Sequence, residues 1–226
     1  MDIVFLITTY NRQESCQRLV NALQGYGDVC VLNDGCDYDI VGARQSKLRE
    51  HLGRSGYWRT VNCLFKGRGR YRYYFMLPDD FLPVEDMVEK AIALWNNISD
   101  PKKICLNLYA DRINIPCWTG FEQVDKGNVY LRQWVDMCFM CENKFFTELG
   151  GLIDTRNNWQ TRGSSGVGAM ISRRLYRKGF NLYQVKESLV KVQEEHHKSQ
   201  MHNRDDKNSW SGIRARTKRT TDTRNK

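Results

Sequence analysis

The chain has 226 residues, 41% hydrophobic and 12% aromatic, enough to bury the core of one α/β domain. No run of 18 apolar residues occurs and residues 1–9 are too short and too acidic at their start for a signal peptide, so a soluble, cytoplasmic protein without a transmembrane segment is expected. The net charge of +9 is segregated: residues 54–72, 156–178 and 203–226 carry +6, +6 and +5, which leaves −8 on the remainder and suggests a polyanionic partner such as nucleic acid, although solvated loops have the same composition.

In chain order, residues 2–9 read as a buried strand that runs into the polar loop Thr8-Thr9-Tyr10-Asn11-Arg12. Cys16, Leu19, Val20 and Leu23 recur at helical spacing, and Gly25 and Gly27 end that helix. Residues 29–32 form a second short strand, followed by Asn33-Asp34-Gly35, a turn that presents an aspartate at a strand tip. Two strands joined by a helix imply a right-handed parallel crossover, the front half of a nucleotide-binding sheet. Residues 66–70 are basic and interrupted by glycine, so the backbone can approach phosphates while Lys66, Arg68 and Arg70 neutralise them; a solvated loop is the alternative.

Residues 73–83, Tyr-Tyr-Phe-Met-Leu-Pro-Asp-Asp-Phe-Leu-Pro, are the focus of the chain. The apolar run reads as a strand covered on both faces, and Pro78 closes it. A helix starting in residues 83–86 then leaves Asp79 and Asp80 at the carboxyl end of a core strand, where open α/β sheets bind ligands. Such a carboxylate pair suits Mg2+ or Mn2+ and, through the ion, a nucleotide diphosphate. A turn with a helix cap would use the same residues.

Beyond it, residues 84–97 have the pattern of a helix, 104–108 of a strand, and 111–127 are irregular, a segment suited to an acceptor-facing lip. Residues 130–141 are hydrophobic with Asp136 as their lone acid; desolvation would raise its pKa toward that of a general base, and a strand-end cap is the other reading. Cys138 and Cys141 have metal-pair spacing, but no second pair matches, and all eight cysteines are read as reduced and mostly buried. Residues 165–178 read as a helix with an open, glycine-rich first turn, 180–185 as a strand, and 203–226 as a basic extension able to stack on nucleic acid through Trp210.

Ile-Thr-Thr-Tyr-Asn-Arg after the first strand, Asn-Asp-Gly after the second and Leu-Pro-Asp-Asp-Phe-Leu-Pro after a later one resemble, in this order, the motifs of GT-A nucleotide-sugar glycosyltransferases of the family-2-like group. The resemblance spans about residues 1–185. It implies a GT-A, Rossmann-like, mostly parallel sheet flanked by helices, in a single domain over residues 1–202. It also implies that Thr9, Tyr10 and Arg12 line the nucleotide site, that Asp34 meets the base, and that Asp80 binds the metal while Asp79 binds metal or sugar. In such enzymes a histidine near the chain end completes the metal shell; His196-His-Lys-Ser-Gln-Met resembles that stretch, making His197 or His196 a metal ligand and Lys198 a diphosphate contact.

The usual Glu-Asp pair carrying the base is missing here, since residues 162–168 have no carboxylate. Asp136 is therefore the first candidate base and Asp154 the second. The expectation is a metal-dependent transferase using a UDP-type sugar, with a 5-hydroxymethylpyrimidine in DNA as acceptor, as in viral DNA modification. The alternatives are a polysaccharide-building transferase, a nucleotidyltransferase, whose glycine-rich first loop is absent from residues 8–12, and a non-catalytic nucleic-acid binder.

Overall fold

The computed structural model describes residues 2–110, 123–135, 137–156 and 166–193. Its centre is a sheet built from β1 (Ile3–Thr9), β2 (Asp28–Asn33), β3 (Arg44–Lys47), β4 (Tyr73–Pro78), β6 (Lys103–Asn107), β7 (Val124–Lys126), β8 (Val129–Leu131), β9 (Phe139–Glu142) and β10 (Asn181–Val185), in the order β3-β2-β1-β4-β9-β6-β10-β8-β7. Strands β3, β2, β1 and β4 are mutually parallel, β9 is inserted antiparallel between β4 and β6, and β10 runs parallel to β6. The hairpin β7–β8 closes one edge. A small second sheet pairs β5 (Phe81–Pro83) with β11 (Val190–Val192). This is the mostly parallel, single-domain α/β architecture expected from the motif order.

The uninterrupted apolar runs have the predicted cause. In β1, Ile3, Phe5 and Ile7 pack on one face with helices α1 (Gln13–Leu23) and α3 (Met87–Asn97), while Val4 and Leu6 pack on the other with α2 (Gly53–Lys66), α4 (Asn143–Leu149) and α5 (Val167–Arg177). A strand between two helical layers has no solvent face, so alternation is lost from its sequence. Helix α3 starts later than predicted, at Met87, because Phe81–Pro83 pairs with β11 instead of entering the helix. The basic stretch 54–72 is largely helix α2, whose buried stripe of Trp58, Val61, Leu64 and Phe65 is thinned by Arg59 and Lys66. The seven cysteines among the described residues are free, and burial pushes the Cys141 thiol well up, as expected of inert core thiols. Among the described residues no helix is long and apolar enough to cross a membrane.

Candidate functional site

The parallel strands β1, β2 and β4 end together, and their loops converge. Thr8 lies opposite Pro78 and Thr9 opposite Asn33 in register, so the three predicted motifs share one rim of the sheet. The loop after β2 is shaped by its own side chains. Asn33 accepts from the Cys36 backbone at 2.8 Å and donates to the Tyr38 carbonyl, which brings the Tyr38 hydroxyl to 2.8 Å from Thr9 Oγ1. The same hydroxyl accepts from the Arg12 backbone N–H at 3.3 Å.

Arg12 stands immediately before α1, and its guanidinium reaches the acidic pair. Nη1 is 2.9 Å from Asp79 Oδ1 and 3.1 Å from Asp80 Oδ2. Asp79 is only 5% exposed, and its second oxygen, Oδ2, is buried without a hydrogen-bond partner. Burial raises its pKa to about 6, partly opposed by Arg12, while the Asp80 charge adds to the rise. Asp80 is the more accessible of the two, with a side chain 20% exposed.

Asp34 is also buried, and both its oxygens are engaged: His51 Nδ1 lies 3.0 Å from Oδ2, and the Leu52 N–H donates to Oδ1 at 3.1 Å. Gly35 has φ +84° and packs so closely that a Cβ there would sit 2.3 Å from the His51 backbone nitrogen. The His51 ring is held flat against Tyr10, with centroids 3.4 Å apart and planes within 9°. Asp34 thus reaches the rim of the site through His51, whose ring it orients at the start of α2.

Gln193, buried after β11, ties the acidic turn together. Its Nε2 donates to the carbonyls of Ser15 and Asp79, its backbone N–H to Asp80 O at 2.8 Å, and its Oε1 accepts from Arg18 at 2.9 Å. Tyr38, His51 and Gln193 were missed in the sequence. Only Gln193 left a signal, its position three residues before His196.

The remaining predicted residues are not gathered here. Lys66, the last residue of α2, and Arg70, just beyond it, are exposed at the amino end of β4, about 20 Å, one strand length, from Asp79. Asp154 is bound to Arg156, which holds its carboxyl down to about 2, and its backbone N–H contacts the sulfur of Met170 on α5. Asp136, His196, His197 and Lys198 lie outside the described residues, as do 203–226 and most of the predicted acceptor lip. The described neighbours of Asp136 are nonetheless informative: β9 begins at Phe139, opposite Met76, and so starts toward the strand end that carries Asp79.

Much of the positive charge has a local explanation. Arg68 donates to Phe65 O at the end of α2, Lys103 to the carbonyls of Trp95 and Ile98 at the end of α3, and Arg174 to those of Leu149, Gly150 and Leu152 beyond α4. Cations at helix carboxyl termini offset the dipole.

No protein-family model matches the chain, and neither does any curated sequence. Solved structures do. TarS residues 1–349 from S. aureus superpose with a TM-score of 0.59 at 12% identity, over 85% of this chain and 60% of that one. GalNAc-T7 in complex with UDP, GalNAc and Mn2+ gives 0.57 at 14% identity over 85% and 44%, and a mycobacterial protein gives 0.54 at 11% over 85% and 67%. At such identity the likeness is one of fold, the GT-A fold, and the chain spans less than two thirds of the TarS and GalNAc-T7 chains.

Proposed function

We propose that this GT-A domain is a metal-dependent glycosyltransferase that moves a sugar from a nucleoside diphosphate, UDP in the first instance, to an acceptor hydroxyl. The observation that carries the reading is the carboxylate pair Asp79–Asp80 at the carboxyl end of β4, facing the Thr9–Arg12 loop across the sheet rim. The residues fit a hard cation: two adjacent carboxylates, one with a buried oxygen still lacking a partner, supply oxygen donors and leave positions for phosphate. No cluster of three metal-ligating side chains occurs among the described residues, so the rest of the shell would come from the diphosphate, from water or from a residue outside them. His196 and His197 follow Gln193 by three and four residues, a reach of at most ~10–14 Å from Gln193, whose N–H binds the Asp80 carbonyl. When bound, Mn2+ or Mg2+ neutralises charge that develops on the leaving diphosphate. GalNAc-T7, which shares the fold, holds both UDP and Mn2+.

Asp80, the more exposed acid, is assigned as the direct ligand, and Thr9 with the Tyr10–His51 stack as the nucleoside side of the site. Asp136 is the base we favour. Asp154 is a poor second, because its tight pairing with Arg156 lowers its affinity for a proton. For the acceptor we propose a 5-hydroxymethylpyrimidine in DNA. Arg59 lies against the Trp58 ring at 5.1 Å, halfway along α2, and offers an exposed cation for a phosphate backbone. A hydroxymethylated base would have to leave the stack to reach the acids.

The test is nucleotide release from a panel of nucleotide sugars with Mn2+, with and without hydroxymethylated or plain duplex DNA, for wild type and Asp80→Ala. Release stimulated by hydroxymethylated DNA alone and lost in the variant supports the whole reading. Release indifferent to DNA keeps the transferase and removes this acceptor. DNA binding without metal-dependent turnover, equal in both proteins, replaces the enzyme with a binding module.

A further inference from the structure

Arg12 sits where a cation belongs. Its Nη1 bridges one oxygen from each of two adjacent carboxylates at 2.9 and 3.1 Å, an arrangement that two carboxylates otherwise offer to a metal ion. The pair needs such a charge: Asp79 is 5% exposed, and a buried carboxylate beside a second one is costly without a counter-ion. The backbone of Arg12 is fixed, its N–H donated to Tyr38 and its carbonyl accepting from Cys16 as α1 begins. Any exchange at the acids is therefore a movement of the side chain.

A hard cation bound to those oxygens would compete with the guanidinium for the same lone pairs and repel it at close range in a poorly solvated site. We propose that Arg12 is a tethered counter-ion: it holds the Asp79–Asp80 pair until a divalent cation arrives, yields those oxygens to it, and carries its released charge to the diphosphate of the donor. Arg12 therefore opposes the metal when the site is empty of nucleotide and favours the nucleotide once the metal is in place. This inference rests on the metal-dependent reading above and assigns to Arg12 a role in setting the order in which metal and donor bind.

The experiment measures Mn2+ binding to the full chain without nucleotide, by electron paramagnetic resonance of the free ion, for wild type, Arg12→Gln, Arg12→Ala and Asp80→Ala. The expected result is Mn2+ affinity about tenfold tighter in both Arg12 variants, a usual size for coupling between two ligands, and UDP affinity at saturating Mn2+ about tenfold weaker. Mn2+ should also raise the melting temperature of Arg12→Ala more than that of wild type. If Arg12→Ala fails to fold, Arg12→Lys, which keeps the charge but not the planar fork, should fall between Arg12→Gln and wild type. Mn2+ affinity unchanged or weaker in the Arg12 variants, with binding still abolished in Asp80→Ala, overturns the exchange and leaves the metal site standing. No Mn2+ binding by any form, wild type included, overturns both.

Discussion

At the carboxyl ends of β1, β2 and β4, Arg12 faces two carboxylates and His51 faces a third, all largely withdrawn from solvent. At the opposite edge Arg68, Arg174, Lys103 and Lys178 face backbone carbonyls. The difference follows from how helices alternate with parallel strands. Helices antiparallel to the sheet present their amino ends, with partial positive charge, to the strand tips, and their carboxyl ends to the other edge. One edge is thus suited to anions and the other demands cations for the fold itself. The cations of that far edge stabilise helix ends, and a count of charge along the chain does not distinguish them from cations that meet a ligand.

The strongest way to test this division is to remove an acid from the strand tips. Asp80→Ala should lower metal-stimulated nucleotide release by about 100-fold or more with the melting temperature little changed. A comparable loss of stability would instead make the pair structural. Next in size is a pH effect. The folded state holds the Asp79 proton to about pH 6, above the ordinary carboxylate value, so the native protein binds more protons than the unfolded chain between about pH 4 and 6. Stability from this group is full below that window and falls, on the order of 2–3 kcal/mol, as pH rises through it. Urea midpoints across this range should decline in wild type without metal, and Asp79→Asn should flatten that decline.

At the far edge, Arg174→Ala breaks contacts to three carbonyls and should cost about 1–3 kcal/mol in urea denaturation, with UDP affinity unaltered. A parallel loss of UDP affinity would join the two edges that the architecture separates. The smallest expected effect is that of Lys66→Ala with Arg70→Ala, which should leave UDP affinity within about twofold, as befits exposed charges a strand length away. A larger loss would restore that loop to the donor site.

How far the sequence foretold this depends on the range of the interaction. β1, β2 and β4 were legible because burial on both faces leaves an apolar run, and Asp79 and Asp80 because an apolar strand stops abruptly at them. The helix α2 was obscured by its arginines and glycines, although Tyr57, Trp58, Val61, Leu64 and Phe65 lie at helical spacing. Tyr38, His51 and Gln193 were illegible for a different reason. Each acts through a contact with a loop brought to it by the fold, and no local pattern records that Tyr38 will meet Thr9 or that Gln193 will meet Asp79. Nor does composition record that Arg174 binds carbonyls rather than phosphates.

The Gln193 contacts set the order in which the molecule can be completed. The acidic turn precedes Gln193 by 114 residues and Ser15 precedes it by 178, so the clamp on Asp79 closes only after nearly all of the described chain is in place. Contacts of such long sequence separation are among the slowest to form, because most of the loop entropy must be lost first. During synthesis β1, α1 and β4 are made well before β11, so the carboxylates would wait in an unfinished turn. A chain that stops before β11 should keep the central sheet yet lack an assembled acidic site, so competence is conferred late, as β11 docks.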